Sequence, residues 1–173
     1  MRKRLLHFGH PDIMSLLQRK DLPGLVRALQ DKSPDVVRNA ARAIASLHRQ
    51  GDEAERQQGA APAPALMDAL TRVCGAGWAY RSIAVKSVGH ESIRALGEIR
   101  AAGAGEMLMG VVSDNAHDQV DRWVAMPAPA RVAGTAMDPW FVSLLDGPDR
   151  GHPASFALLA LEEDRLIVRL PTR

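Results

Sequence analysis

Three kinds of residue or segment are scarce in this sequence, and each scarcity excludes something. Its 173 residues contain one cysteine, Cys74, which rules out an intramolecular disulfide framework and any multi-cysteine zinc site. A lone cysteine is more often a small buried hydrophobe than a nucleophile. Aromatic residues are 4% of the chain although apolar residues are 46%, so a core has to be built from Ala, Leu, Val, Ile and Met. Small side chains of that kind suit helices whose backbones approach closely. No apolar run is long enough for a membrane span. The opening MRKRLL has the charge of a signal peptide, but His7, His10, Pro11 and Asp12 break the apolar run that such a leader needs. A cytoplasmic location, without membrane association, is the expectation. There is also no P-loop or GxGxxG fingerprint: the glycines of RAAGAGEM join two helical patterns instead of following a strand.

Charge is nearly balanced overall at +2, yet it is unevenly placed. Residues 1–50 carry ten Lys and Arg against four Asp and Glu, whereas residues 101–150 carry three against seven. Such a gradient could orient an acidic partner at the N-terminal end, or pair copies of the chain head to tail as a homo-oligomer; solvated helix faces show similar imbalances.

Residues 21–47, DLPGLVRALQDKSPDVVRNAARAIASL, hold the clearest pattern. Leu22, Leu25, Val26 and Leu29 recur at helical spacing, Asp21 is placed to cap, and Pro23 falls in the first turn, where a missing N–H costs nothing. Asp31 to Pro34 read as a turn. Val37, Ala40, Ile44 and Leu47 then form the apolar stripe of a longer second helix. The first-helix pattern returns: Leu25, Val26 and Leu29 match Leu66, Met67 and Leu70, and match again Leu108, Met109 and Val112. Steps of 41 and 42 residues lie in the range of helical repeats. In the second helices, Arg42, Ala43, Ile44 and Leu47 match Arg94, Ala95, Leu96 and Ile99 at a longer step. That difference places an insertion at residues 74–87, which carries Trp78 and Tyr80.

An Asp closing the first helix, with Val-Arg and small Ala residues opening the second, resembles the HEAT-like (armadillo-type) repeat family. The resemblance covers about residues 12–126. It implies a mainly α fold, a short α-solenoid of about three helix pairs at 21–50, 62–100 and 104–126, with residues 1–20 as an N-terminal capping helix. It also implies an Asp–Arg ladder between repeats, at the positions of Asp31 and Arg38, and a role as a protein-binding adaptor like bacterial proteins of this type. Residues 127–173 fall outside the period. They are read as a C-terminal cap, irregular or small β, in which 156–161 and 165–170 are compatible with a hairpin.

The candidate interaction residues fall in two groups. Arg38, Arg42 and Arg49 lie within about 40° of one another on a helix, opposite the apolar stripe, and Arg94 extends the row from the second unit. They would offer cations to phosphate or acidic side chains; a solvated face with one ladder arginine has the same composition. Trp78, Tyr80 and Arg81 form the second group, as contact surface or as packing anchors of the insertion. Asp114, His117, Asp118 and Asp121 share one side of a helix and could face a divalent ion, but acidic residues also favour helix starts, so no metal is expected. His7 with His10, and His90 with Glu91, lack a third convergent ligand. No catalytic set and no cofactor are called for. A protein-interaction scaffold is the leading expectation. The alternative is nucleic-acid binding or an enzyme on the HEAT fold, as in alkylated-base glycosylases or phycobilin lyases, with Trp123 joining Trp78 and Tyr80 as its aromatics. The near-neutral charge and the acidic third unit weigh against a DNA surface.

Overall fold

The first two helices show how local chemistry sets the chain's path. Helix α1 (Ile13–Gln18) starts at Asp12, whose carboxylate accepts from the Ser15 N–H at 3.2 Å. It ends with Lys20 at φ 52°: the Asp21 N–H reaches the Leu16 carbonyl at 2.9 Å and the Lys20 N–H reaches that of Leu17 at 3.0 Å. This is the left-handed helix stop that glycine usually fills. Asp21 at once caps helix α2 (Leu22–Ala28), accepting from the Gly24 N–H at 2.8 Å, with Pro23 in the first turn. A Cβ on Gly24 would lie 2.6 Å from Asp21 Oδ2 and 2.7 Å from a Leu16 methyl, so this junction needs glycine.

The computed structural model describes residues 10–51, 62–74, 83–113, 122–123, 125–133, 139–140 and 143. After α2 come α3 (Pro34–Gln50), α4 (Ala63–Cys74), α5 (Ile83–Glu98), a 3-10 turn (Ala102–Ala104), α6 (Gly105–Ser113) and α7 (Pro127–Ala133). The fold is mainly α, and among the described residues there is no strand. Helix α1 packs on α2 and α3; α2 packs on α3, α4 on α5, and α6 on α7. The second helix of each pair also meets the next, α3 against α5 and α5 against α7.

Burial follows the period read in the sequence. Leu25, Leu66 and Leu108 are fully buried, as are Leu29, Leu70 and Val112. Val26, Met67 and Met109 are partly buried in the same register, and Arg27, Asp68 and Gly110 are exposed. Among the described residues the fully buried core is built from Leu, Ile, Val, Ala and Met, with Ala40, Ala41, Ala43 and Ala45 of α3 all buried, and Trp140 packs against it only partly buried. In α3 the expected stripe is present, with Val37, Ala40 and Ile44 buried and Leu47 partly so.

Two features depart from the sequence reading. Residues from 127 on are expected to be irregular or β; instead residues 127–133, with Pro127 and Pro129, are helix α7. Both prolines fall in its first turn, where backbone N–H groups have no partner inside the helix, so neither interrupts it. Helix α7 also lies close to α5: a Cβ on Gly97 would be 3.0 Å from Ala128 Cβ and 3.1 Å from its Cα. The second departure is the ladder. Arg38 pairs with Asp35 of its own helix, Nη2 to Oδ1 at 2.9 Å, and Asp31 accepts from the Ser33 N–H at 2.7 Å and lies 3.1 Å from His10 Nδ1. Asp35 is three residues before Arg38, a spacing that brings the two side chains together on one face of the helix. Asp31 is held by the turn it closes. The hairpin expected at 156–161 and 165–170 lies outside the described residues.

Candidate functional site

Four arginines are expected to form a row, and the structure joins two of them through a carboxylate. Arg42 on α3 and Arg94 on α5 both bind Glu91. Arg42 donates from Nε at 3.1 Å and from Nη2 at 2.6 Å to Oε1, and Arg94 donates from Nη2 at 2.6 Å to Oε2. Glu91 is 13% exposed, against 56% for Arg42 and 40% for Arg94. A largely buried carboxylate thus has both oxygens occupied by guanidinium groups that reach out into solvent. Sequence reasoning pairs Glu91 with His90 and misses this role. The one local signal is its place three residues before Arg94, a spacing that brings side chains together on a helix; its bond to Arg42 crosses 49 residues of sequence.

The remaining members are less entangled. Arg38 is 29% exposed and held by Asp35, which is itself 66% exposed. Arg49, in the last turn of α3, is exposed and makes no ion pair among the described residues. A further bond continues the series onto α7, where Arg131 Nη1 meets Glu98 Oε1 at 2.9 Å. Trp78, Tyr80 and Arg81 lie outside the described residues, as do His7, Asp114, His117, Asp118 and Asp121.

The first helices are tied differently. Arg72 of α4 donates from Nη2 to the Leu29 carbonyl at 2.6 Å, and Arg122 donates from Nε to the Val112 carbonyl at 2.7 Å. Leu29 and Val112 hold the same place in the sequence period, so an arginine covers a carbonyl at the end of each of these helices, where the last carbonyls lack partners and the dipole favours a cation. Gln30 also donates to Asp68 Oδ2 at 3.2 Å, linking the first pair to the second.

Asp31 titrates below the usual carboxylate range. The Ser33 N–H that its ionised oxygen accepts is the main cause, and the His10 ring reinforces it. A carboxylate that closes a turn in this way has a structural use for its charge. Among the described residues there is no group of three or more His, Cys, Asp and Glu that could hold a metal ion, and no helix is long and apolar enough to cross a membrane.

Compared with known proteins, the chain matches no family model, no curated sequence and no solved structure.

Proposed function

We propose that this chain is a protein-interaction scaffold of HEAT-like build, offering the arginine-bearing face of α3 and α5 to an acidic protein partner. One observation carries the reading: Arg38, Arg42, Arg49 and Arg94 stand on two helices packed together, with only Asp35 and Glu91 as their carboxylate partners among the described residues. The cationic excess is exposed, and a face of this kind attracts acidic side chains over a range set by ionic strength. The HEAT-like part of the reading is supported by the threefold burial register and by the succession of second helices α3, α5 and α7. A cytoplasmic location goes with the same reading.

The test is affinity isolation from the native host with Arg38 and Arg49 replaced by Glu. These two lie outside the Glu91 cluster, so the helices stay joined. At least a tenfold drop in a specific copurifying partner is expected, and an unchanged set of partners refutes the proposal. Nucleic acid is the less favoured occupant, because the net charge is only +2 and residues 101–150 carry an acidic excess that would repel a phosphate backbone. A gel shift with duplex DNA at low salt checks this, with no binding expected.

A further inference from the structure

A hollow of about 210 Å³ lies between the first and second helix pairs. Buried Val37, Ala69 and Val88 form its floor, carried by three different helices, and Pro34 and Val85 stand beside them. Its polar residues are Asp31 and Lys32, from the turn between α2 and α3, and Arg72, from the last turn of α4.

These polar groups differ in what they have left to offer. Arg72 is fixed in place: Nε pairs with Asp68 at 3.2 Å and Nη2 donates to the Leu29 carbonyl, while Nη1 has no acceptor among the described residues. Lys32 is exposed and makes no ion pair among the described residues. Asp31 is committed to Ser33 and His10. Two cations with spare donors therefore border an apolar floor, and the two carboxylates beside them are already bonded, Asp31 to Ser33 and His10 and Asp68 to Arg72 and Gln30.

We infer that this hollow receives an aliphatic side chain from an acidic segment of a protein partner, with an adjacent carboxylate meeting Lys32 and Nη1 of Arg72. The inference deepens the scaffold reading and rests on it for the partner being a protein. An aliphatic group covers Val37, Ala69 and Val88 better than water, which finds polar partners only at Asp31, Lys32 and Arg72. Since the floor is held by three helices and Arg72 by two bonds, little is lost in ordering the site on binding. The excess of basic residues in the first fifty draws an acidic segment toward this end of the molecule. Asp31 repels a carboxylate placed on its own side, which gives the segment a direction.

The experiment is a titration of the full, 15N-labelled chain with acetyl-Glu-Leu-Glu-amide, followed by NMR. Saturable shifts are expected at Lys32, Val37, Arg72, Val85 and Val88, with a dissociation constant on the order of 1 mM. Lys32→Glu is expected to weaken binding about tenfold, and Val85→Gln also to weaken it, with signals elsewhere confirming that each variant is folded. Acetyl-Glu-Ala-Glu-amide should bind more weakly, and acetyl-Lys-Leu-Lys-amide should leave the signals in place. The inference is overturned if Lys32→Glu binds as well as the parent, if the lysine peptide binds equally, or if no saturable shift occurs. It is overturned in favour of a second copy of this chain if the hollow's signals move with protein concentration alone. Shifts confined to Arg38 and Arg49 would also overturn it while leaving the scaffold reading intact, whereas failure of that reading shows in the Arg38 and Arg49 variant whatever the peptide does.

Discussion

Replacing Glu91 by Ala strands two guanidinium groups at once, and the structure sets the expected cost. Arg42 and Arg94 each hold Glu91 at 2.6 Å, but at 56% and 40% exposure both can rehydrate when the carboxylate is gone. The loss per contact is therefore nearer the ~1 kcal/mol of a good solvent-facing pair than the ~3–5 kcal/mol of breaking a buried one. Two contacts give about 2 kcal/mol, with a small further cost from leaving two cations as neighbours. For a domain of this size that corresponds to a melting temperature lower by roughly 4–8 °C. Thermal unfolding followed by circular dichroism measures it, and a double-mutant cycle of Glu91→Ala with Arg42→Ala isolates the bond between α3 and α5. A coupling of about 1 kcal/mol is expected, smaller at high salt. A melting temperature within about 1 °C of the parent, together with no measurable coupling, would refute the view that this cluster joins the two helices.

Other outcomes follow from particular geometry. Gly97→Ala should destabilise by about 1–3 kcal/mol, because the new methyl meets Ala128 across the α5–α7 crossing; adding Ala128→Gly should restore part of the loss in urea unfolding, and no rescue would mean that the crossing is looser than drawn. Arg100 sits at φ 49° just past α5, with the Ala101 N–H bonded to the Leu96 carbonyl. Arg100→Gly should therefore raise stability by about 0.5–1 kcal/mol, and a lower urea midpoint would contradict the left-handed stop. Asp31 has its carboxyl held below the unfolded value, so its contribution is present in full above that value, about 3.9, and is lost as pH falls through the lower folded one. Measured by urea unfolding, the parent should exceed Asp31→Asn in stability at pH 6 and the gap should narrow toward pH 3. A constant gap would show that the Ser33 bond does not depend on the charge.

What the sequence determined by itself is the helical character and the burial register. Leu25, Leu66 and Leu108 align by spacing alone because helical amphipathicity is a short-range property, with a period of 3.6 residues that any core must respect. Asp21 and Pro23 are legible for the same reason: capping acts within one turn. The arginines can be placed on a face, but not given partners. Which carboxylate Arg42 meets depends on how α3 and α5 pack, and Glu91 is 49 residues away, whereas Arg38 takes the acid on its own helix. Pro127 and Pro129 read as an ending because, in the sequence, a proline stops one helix and opens another alike; the packing of α7 on α5 and α6 decides between them. The hollow beside Lys32 and Arg72 has no signal at all in the sequence. Its floor joins valines and an alanine from three helices, each unremarkable as a core residue, and only their assembly leaves the space between them open.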